Sequence, residues 1–330
     1  MQTYTVLFKK IGLLLAVGFV FSVFGILHDR ALGAEYPTKP IQIIWPFPPG
    51  GTGDLMTRLM TDKLSALLGQ PVVVFNKGGG GGGVGTQTAA FAPPDGYMLL
   101  GTPPQITQMP LVTKGIAWSI RDFAPIRLGG SSPRVIVVKQ NARWKTLEEM
   151  IAEAKKNPGK LSYTSSGPGN AGHFAGELFK METGTDITHI PMDGENPAAM
   201  AVLGGHVDMG FISLGTVNNH MQAGTLRSLV VLDIKRFKAY PDVPSMADKG
   251  YPKVISPSWF GYFAPVKTPQ EIVKKLNDAF GEVLRDKEII EKIEKLGMTV
   301  ENLNREEFAK FVAEEERRWA GVAKAAKIGE

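Results

Sequence analysis

The sequence predicts an α/β protein of two lobes, followed by helices at the C-terminus. Short apolar runs alternate with helical periodicities from residue 41 to residue 232, which favours parallel sheets with helices on both faces. The chain has 330 residues, 43% of them hydrophobic, and at this length one core usually divides into two. After residue 268 the pattern changes to amphipathic helices without strands of their own.

The first α/β unit begins at a short apolar run that suits a buried strand. A helix should follow the glycine-rich loop after it, because Asp54 stands in the first turn and Gly69 is placed to end the helix. The predicted strands are 41–45, 72–75 and 97–100, and the predicted helices are 55–68 and 86–91.

The same alternation returns in the middle of the chain and predicts a second α/β unit. The predicted strands are 135–138, 161–164, 187–190, 207–212 and 226–232, and the predicted helices are 147–156, 173–182, 198–203 and 217–222.

The C-terminal helices open on two predicted capping boxes, at 268–271 and 304–307. Because no strand is predicted among these helices, we expect them to pack on the first lobe. The chain would then cross between the lobes twice. We expect a two-strand hinge near 133–138 and 258–264. The predicted organisation is lobe I over 35–135 and 262–330, and lobe II over 136–261.

The first 34 residues are typical of an export signal and predict a periplasmic protein. Lys9 and Lys10 precede an uncharged apolar run over 11–27, and small residues at 31–34 suit cleavage. The run is close to the length of a membrane span, so an uncleaved anchor is the alternative.

Composition excludes several classes of function. The absence of cysteine removes disulfides, thiolate metal sites and cysteine nucleophiles. Lys9, Lys10 and Arg30 against Asp29 contribute +2 of the formal net charge of +5, which leaves +3 for the remainder. This charge forms no basic stripe, so no nucleic-acid partner is expected. No metal-ligand spacing occurs among the histidines, and no metal or cofactor is expected.

Two glycine-rich loops, 49–53 and 165–172, each follow a predicted strand and precede a predicted helix. Glycine lets backbone N–H groups turn toward a ligand at a helix N-terminus, where the helix dipole favours an anion. One such loop on each lobe would hold a carboxylate between them; the alternative is that both merely make turns and cap helices.

Two further motifs give weaker signals. The run of six glycines at 78–83 matches a dinucleotide fingerprint only because it matches almost any glycine pattern, and a flexible loop is the better interpretation. Ser166 lies near His173 in sequence, which leaves a secreted Ser/His hydrolase as an alternative function without a recognisable nucleophile elbow.

The chain resembles the Bug (TctC-like) family, the extracytoplasmic receptors of tripartite tricarboxylate transporters. The resemblance covers essentially everything after the signal. It rests on the segments 36–41, 46–54, 68–72, 95–97, 165–170, 173–179, 204–208, 240–244 and 258–265.

This resemblance implies a type II periplasmic-binding-protein fold, a bound carboxylate, integral-membrane transporter subunits as partners, and no enzymatic activity. A monomer is expected, and a signalling receptor without a transporter remains the other alternative. The residues expected to contact the ligand are Phe47, Pro49, Gly50, Gly51, Thr52, Asp54, Thr102, Gln105, Ser165, Ser166, Gly169, Asn170, His173, Met192, Phe211, Ile212 and Ser213.

The chain departs from the family pattern at two positions. Many members carry a Tyr followed by a basic residue where this chain has Met192-Asp193, and many carry Asp where it has Ile212. Without an acid beside Phe211 and Phe47, a buried ammonium would lack a counter-charge, which predicts an aromatic or simple organic acid rather than an amino acid.

Overall fold

A computed structural model describes residues 36–328, so the predicted signal 1–34 lies outside the described residues. From Lys39 onward the chain forms one compact unit. Its strands are β1 Ile41–Trp45, β2 Val72–Asn76, β3 Met98–Thr102, β4 Phe123–Ser132, β5 Arg134–Lys139, β6 Ser162–Ser165, β7 Thr188–Pro191, β8 Met209–Ser213, β9 Leu226–Val231, β10 Ser258–Pro265 and β11 Thr299–Leu303. Its helices are α1 Thr52–Leu68, α2 Gly83–Ala90, α3 Gln105–Val112, α4 Leu147–Lys156, α5 Ala171–Thr183, α6 Glu195–Gly204, α7 Leu214–Gln222, α8 Gln270–Val283, α9 Lys287–Lys295 and α10 Arg305–Ala325.

The first sheet has the strand order β11-β4-β10-β3-β1-β2. Its strand β1 pairs in parallel with β2 and β3, with Ile43 opposite Val74 and Leu99. Strand β10 runs antiparallel to both β3 and β4. The parallel pairing predicted for the first unit is therefore confirmed for β1, β2 and β3. The sheet as a whole is mixed, because β10 enters from the end at which β4 leaves and must run in the opposite direction.

The second sheet has the order β7-β6-β8-β5-β9, and it is also mixed. Strand β6 is parallel to β7 and β8, whereas β5 is antiparallel to β8 and β9. The chain passes from β4 to β5 at Pro133 and returns to the first sheet at Ser258. Below, the first lobe is the half built on the first sheet, and the second lobe is the half built on the second sheet.

The C-terminal helix α10 packs on both lobes. Phe308 and Val312 join the buried core of the first sheet, whereas Trp319 and Ala323 join a core of the second. The expectation that the C-terminal helices pack on the first lobe is therefore wrong for the second half of α10. A helix of 21 residues extends about 30 Å, which is long enough to reach from one core to the other.

The two predicted capping boxes have different outcomes. The box from Asn304 to Glu307 is confirmed, with both of its hydrogen bonds present. The box at Thr268 is wrong, because Pro269 keeps an extended backbone with a ψ of 140° and helix α8 begins only at Gln270. The Thr268 hydroxyl is thus one residue too far from the helix to cap it. Among residues 36–328, no helix is both long and apolar enough to cross a membrane.

Candidate functional site

A cavity of about 510 Å³, a volume that includes its open mouth, is lined by residues of both lobes. The first lobe contributes aromatic walls from Trp45, Phe47 and Phe260. The second lobe contributes mainly polar groups, from the N-terminal parts of α5 and α6 and from the start of β5.

The first turn of α1 opens on this cavity. Gly51 is its N-cap and has no side chain to cap the helix, although Thr52 N donates to Thr216 Oγ1 at 3.3 Å; Gly51, Thr52 and Gly53 all line the cavity. Only glycine fits at position 53 while α1 packs this closely on Trp45, because a Cβ there would lie 2.2 Å from the Trp45 ring. An uncapped helix N-terminus presents backbone N–H groups and the positive end of the helix dipole, and both favour an anion.

Asp54 holds this loop in place and does not line the cavity. Its side chain is 1% exposed and accepts hydrogen bonds from Gly50 N at 2.8 Å, Asn76 Nδ2 at 2.9 Å and Arg58 Nε at 3.1 Å. Gly50 has a φ of +89°, which a residue with a Cβ rarely adopts. Asp54 therefore fixes the conformation of the loop at Gly50, and its contact with a ligand stays a prediction.

Asn170 changes the prediction of a second open helix N-terminus. It is the N-cap of α5, and its Oδ1 accepts from Gly172 N at 3.0 Å and from His173 N at 3.2 Å. Its Nδ2 is buried without a hydrogen-bond partner among the described residues, and Asn170 lines the cavity. At the start of α5, the donor without a partner is thus the capping amide itself rather than backbone.

Ser165, His173 and His189 lie behind this loop and do not line the cavity. Ser165 Oγ is 2.8 Å from His189 Nε2, and His173 Nδ1 accepts from Gly169 N at 3.1 Å. The two imidazole rings stack with centroids 4.3 Å apart. Burial lowers the pKa of His173. The pKa of His189 is lowered to about 3, mainly by burial and secondly by the nearby His173.

These contacts do not assemble a hydrolase. Among the described residues, no hydrogen bond joins Ser166 to His173, and His173 Nδ1 accepts from Gly169 N. Ser165 is fully buried beside His189. The lowered pKa of His189 makes that histidine a poor base. No group of three or more His, Cys, Asp or Glu within residues 36–328 could hold a metal.

An ion pair between Arg134 and Glu195 lies in the cavity wall, and sequence analysis missed it. Arg134 is 2% exposed and donates from Nη1 to Glu195 Oε1 at 3.2 Å and to Phe211 O at 2.9 Å. Its Nη2 donates to Ser258 Oγ at 2.5 Å. Burial lowers the pKa of Arg134, and the Glu195 carboxylate opposes that effect. The two residues stand 61 positions apart, outside any motif.

The Glu195 carboxylate accepts three further hydrogen bonds. Ser213 donates from its backbone N at 3.2 Å and from its hydroxyl at 2.6 Å, and Thr216 Oγ1 donates at 2.8 Å. These neighbours fix the position of the carboxylate, whose Oε1 accepts three hydrogen bonds and whose Oε2 accepts one, from Thr216. Because Arg134 begins β5 and Ser258 begins β10, this cluster also ties together both strands by which the chain crosses between lobes.

The structure brings some predicted residues to the cavity and places others elsewhere. The predicted residues that line it are Phe47, Gly51, Thr52, Gln105, Ser166, Asn170 and Ser213. Those outside the lining are Pro49, Gly50, Asp54, Thr102, Ser165, Gly169, His173, Met192, Phe211 and Ile212. The lining residues that were not predicted are Trp45, Pro48, Gly53, Pro103, Arg134, Ala171, Gly194, Glu195, Asn196, Pro197 and Phe260.

Phe211 and Ile212 do not form the apolar cavity wall that the sequence predicted. Successive residues of a strand point to opposite faces of the sheet. Both faces of β8 pack against buried hydrophobic clusters. Phe211 packs edge-on to Tyr163 with ring centroids 5.1 Å apart, while Ile212 joins Val135 in the core on the other face. The apolar wall comes instead from first-lobe aromatic residues, and the acid near the cavity is Glu195.

The two lobes meet around the rim of the cavity. Asn196 Nδ2 donates to Pro49 O at 3.2 Å, and the hydroxyls of Thr52 and Thr216 are 2.7 Å apart.

The glycine run forms a short 3₁₀ turn over Gly80–Gly82, where a Cβ on Gly81 would meet Pro168 O at 3.0 Å. The predicted flexible loop is thus a tight turn packed against the other lobe.

Comparison with known proteins gives consistent findings. A family model described as "Tripartite tricarboxylate transporter family receptor" matches residues 56–328. Protein BugT of Bordetella pertussis is 35% identical over 315 residues, which cover 94% of this chain and 96% of BugT.

Two solved structures share the fold. The periplasmic binding protein BugD superimposes with a TM-score of 0.84 at 31% identity, over 89% of this chain and 99% of that one. A Rhodopseudomonas palustris protein solved with adipate gives a TM-score of 0.85 at 30% identity, over 89% and 99% of the chains. These findings confirm the resemblance stated from the sequence and the periplasmic-binding-protein fold, and a family of receptors confirms that the chain is not an enzyme.

Proposed function

The chain belongs to the tripartite tricarboxylate transporter receptor family, and from that premise we propose that it captures a small carboxylate in the cleft between its lobes and delivers it to membrane-embedded transporter subunits. The observation that carries the proposal is the uncapped first turn of α1, which opens on the cavity through Gly51, Thr52 and Gly53. A carboxylate placed there receives backbone hydrogen bonds and a favourable helix dipole.

The second lobe supplies the opposing contacts. Asn170 Nδ2 is a buried donor that needs a partner, and Ser166 lines the cavity beside it. The relative solved with adipate, a carboxylate, supports the same ligand chemistry in this fold. Capture outside the cytoplasmic membrane follows from the family role and from the signal predicted over residues 1–34.

Calorimetric titration and thermal shift with a panel of aliphatic and aromatic carboxylates test the proposal. A carboxylate that binds should raise the Tm by mass action and should be recovered unchanged. The matched uncharged amides, such as hexanamide for hexanoate, should bind at least tenfold more weakly. Equal affinity for acids and amides would contradict a carboxylate site, and chemical turnover of a bound compound would contradict a receptor.

Delivery to a transporter has its own test. The chain carrying a C-terminal affinity tag, incubated with detergent-solubilised membranes of its host, should retain integral-membrane subunits in a ligand-dependent manner. Recovery of the chain with a soluble signalling protein, and with no transporter subunit, would favour the alternative of a signalling receptor.

A further inference from the structure

We propose that His173 is a positioning residue that keeps the loop 166–170 in its ligand-binding conformation only while its imidazole is neutral, so that the affinity for a carboxylate falls with falling pH. This inference rests on the proposed function and deepens it, because it names a group that regulates the same site. Its basis is the hydrogen bond from Gly169 N to His173 Nδ1 at 3.1 Å. The two ends of that loop, Ser166 and Asn170, line the cavity.

The direction of this hydrogen bond fixes the protonation state of the ring. A backbone N–H only donates, so His173 Nδ1 accepts with its lone pair and carries no proton. In an imidazolium both ring nitrogens carry protons, and the Nδ1 proton would then face the Gly169 N–H. The observed loop therefore requires a neutral His173 that is protonated at Nε2.

The loop depends on this acceptor because its backbone is built from glycine. Gly167 and Gly169 have φ values of +137° and +69°, and glycine leaves the chain free to adopt other conformations. Gly167 is tied to Ser165, whose hydroxyl accepts from Gly167 N at 3.4 Å and donates to Gly167 O at 3.2 Å. Gly169 is buried, and its N–H is satisfied by His173. A buried N–H without a partner is costly, so protonation of the ring shifts Gly169 and, with it, the adjoining Asn170.

The surroundings of His173 favour the neutral ring. Burial has the largest effect and lowers the pKa of His173 below its ordinary value of 6.5; Lys180 adds to this effect and Glu177 opposes it. His173 is also the third residue of α5, near the positive end of the helix dipole. His189 stacks on it from β7 and has a pKa of about 3, so it stays neutral at higher pH.

The other elements around the loop do not supply a competing titration near neutral pH. On β6, burial raises the pKa of Tyr163, whose hydroxyl stays protonated. On β5, Arg134 reaches the start of α5 and is paired with Glu195. Helix α10 meets α5 through the ring of Trp319, and α3 meets the loop through Met109, and neither side chain ionises. The proton-dependent contact of the loop is therefore that of His173.

The pH dependence of binding has a definite sign. The ligand binds the loop conformation that needs neutral His173, so the affinity is complete above the pKa of His173 in the free chain. It weakens as the pH falls below that pKa, by up to about tenfold per pH unit.

NMR of the ligand-free chain tests the protonation state by itself. Long-range proton–nitrogen correlations of the imidazole should show His173 as the neutral tautomer protonated at Nε2 at pH 7.5, and the Gly169 amide signal should shift as this ring titrates. A neutral His173 protonated at Nδ1 would overturn the inference and leave carboxylate binding intact.

Calorimetry with benzoate and adipate at pH 7.5 and pH 5 tests the effect on binding, with circular dichroism to show that the chain is folded at both. The affinity of the parent chain should fall by at least about threefold more than that of His173→Asn. That variant keeps an acceptor oxygen for Gly169 N but does not titrate, so its own fall reports protonation of the probe. It should bind within about threefold of the parent at pH 7.5.

Two further variants separate the acceptor from the ring. His173→Phe keeps a ring against His189 without an acceptor and should bind about tenfold more weakly at pH 7.5, with no further fall beyond that of His173→Asn. His206→Asn, at an exposed position, is the control and should follow the parent at both pH values.

The outcomes distinguish the inference from the proposed function. Equal falls in affinity for the parent and His173→Asn would overturn the inference while leaving the carboxylate site intact, and this comparison decides alone should His173→Phe fail to fold. No binding of either probe at any pH would contradict the proposed function.

Discussion

The hydroxyl oxygens of Thr52 and Thr216 lie 2.7 Å apart and join the first turn of α1 to the second lobe. Thr216 Oγ1 donates to Glu195 Oε2 at 2.8 Å, so Thr216 accepts from Thr52, whose backbone N also points to it at 3.3 Å. A chain of hydrogen bonds thus runs from the proposed carboxylate site through Thr216 and Glu195 to Arg134. The first turn of α1 is therefore linked by hydrogen bonds to the ion pair in the cavity wall.

Thr216→Val should weaken carboxylate binding by about tenfold, because it removes the contact between lobes and leaves one Glu195 oxygen with fewer donors. A loss of this size corresponds to about 1.4 kcal/mol, which is typical of one or two hydrogen bonds. Stopped-flow measurement should place the effect in faster ligand release. Thr88→Val, which removes a hydroxyl bonded only within α2, is the control and should bind normally. Equal release rates for the two variants would contradict a role for Thr216 in closure.

Asp54→Asn should lower both stability and affinity. The carboxylate is buried and accepts from Gly50 N and Asn76 Nδ2, and an amide would direct its own N–H groups at one of these donors. Breaking such a buried charged arrangement typically costs about 1–3 kcal/mol of the free energy of unfolding. Urea unfolding and calorimetry measure the two effects.

Asp62→Asn is the control for Asp54→Asn, because Asp62 is exposed on the same helix and should change neither quantity. If Asp54→Asn kept full affinity, the loop conformation would not depend on this carboxylate.

The stacked pair His173 and His189 should make the free energy of unfolding depend on pH. Burial lowers both pKa values below the ordinary value of 6.5, to about 3 for His189, so the folded state binds fewer protons than the unfolded state between these values. The stabilisation is then complete above about pH 6.5 and is lost as pH falls toward 3, by up to about 1.4 kcal/mol per pH unit for each histidine.

Urea unfolding between pH 7.5 and 4 measures this dependence. His189→Gln keeps a hydrogen-bonding side chain but does not titrate, so its stability should fall less steeply with decreasing pH than that of the parent chain. His206→Gln, at an exposed position, should follow the parent. Parallel curves for all three proteins would rule out the buried pair as the origin of the slope.

Trp319→Ala should reduce the free energy of unfolding by about 3–5 kcal/mol, the usual cost of truncating a large buried aromatic residue. Trp319 is 1% exposed, packs edge-on to Phe174 at 5.5 Å and donates from Nε1 to Glu315 at 3.0 Å. Lys310→Ala, on the exposed face of the same helix, should cost under about 0.5 kcal/mol. A small effect of Trp319→Ala would mean that α10 is not anchored on the second lobe.

The sequence by itself determined the local elements and the two glycine-rich loops that border the cavity. Apolar runs located β1, β2, β6 and β8 to within a few residues, because burial of a short strand needs a contiguous apolar segment. Gly69 ends α1 in a left-handed conformation, as its position after the last apolar residue predicted. The two glycine-rich loops were located because turn chemistry is encoded locally.

Only the tertiary structure decided which side chains face the cavity. The faces of β8 are set by which helices cover it, so the sequence around Phe211 and Ile212 could not show that both point into cores. The pairing of Arg134 with Glu195 depends on two elements that are distant in the chain, and no local pattern encodes it. The charge balance of the site is therefore a property of the fold, because charges act through space and the sequence orders them only along the chain.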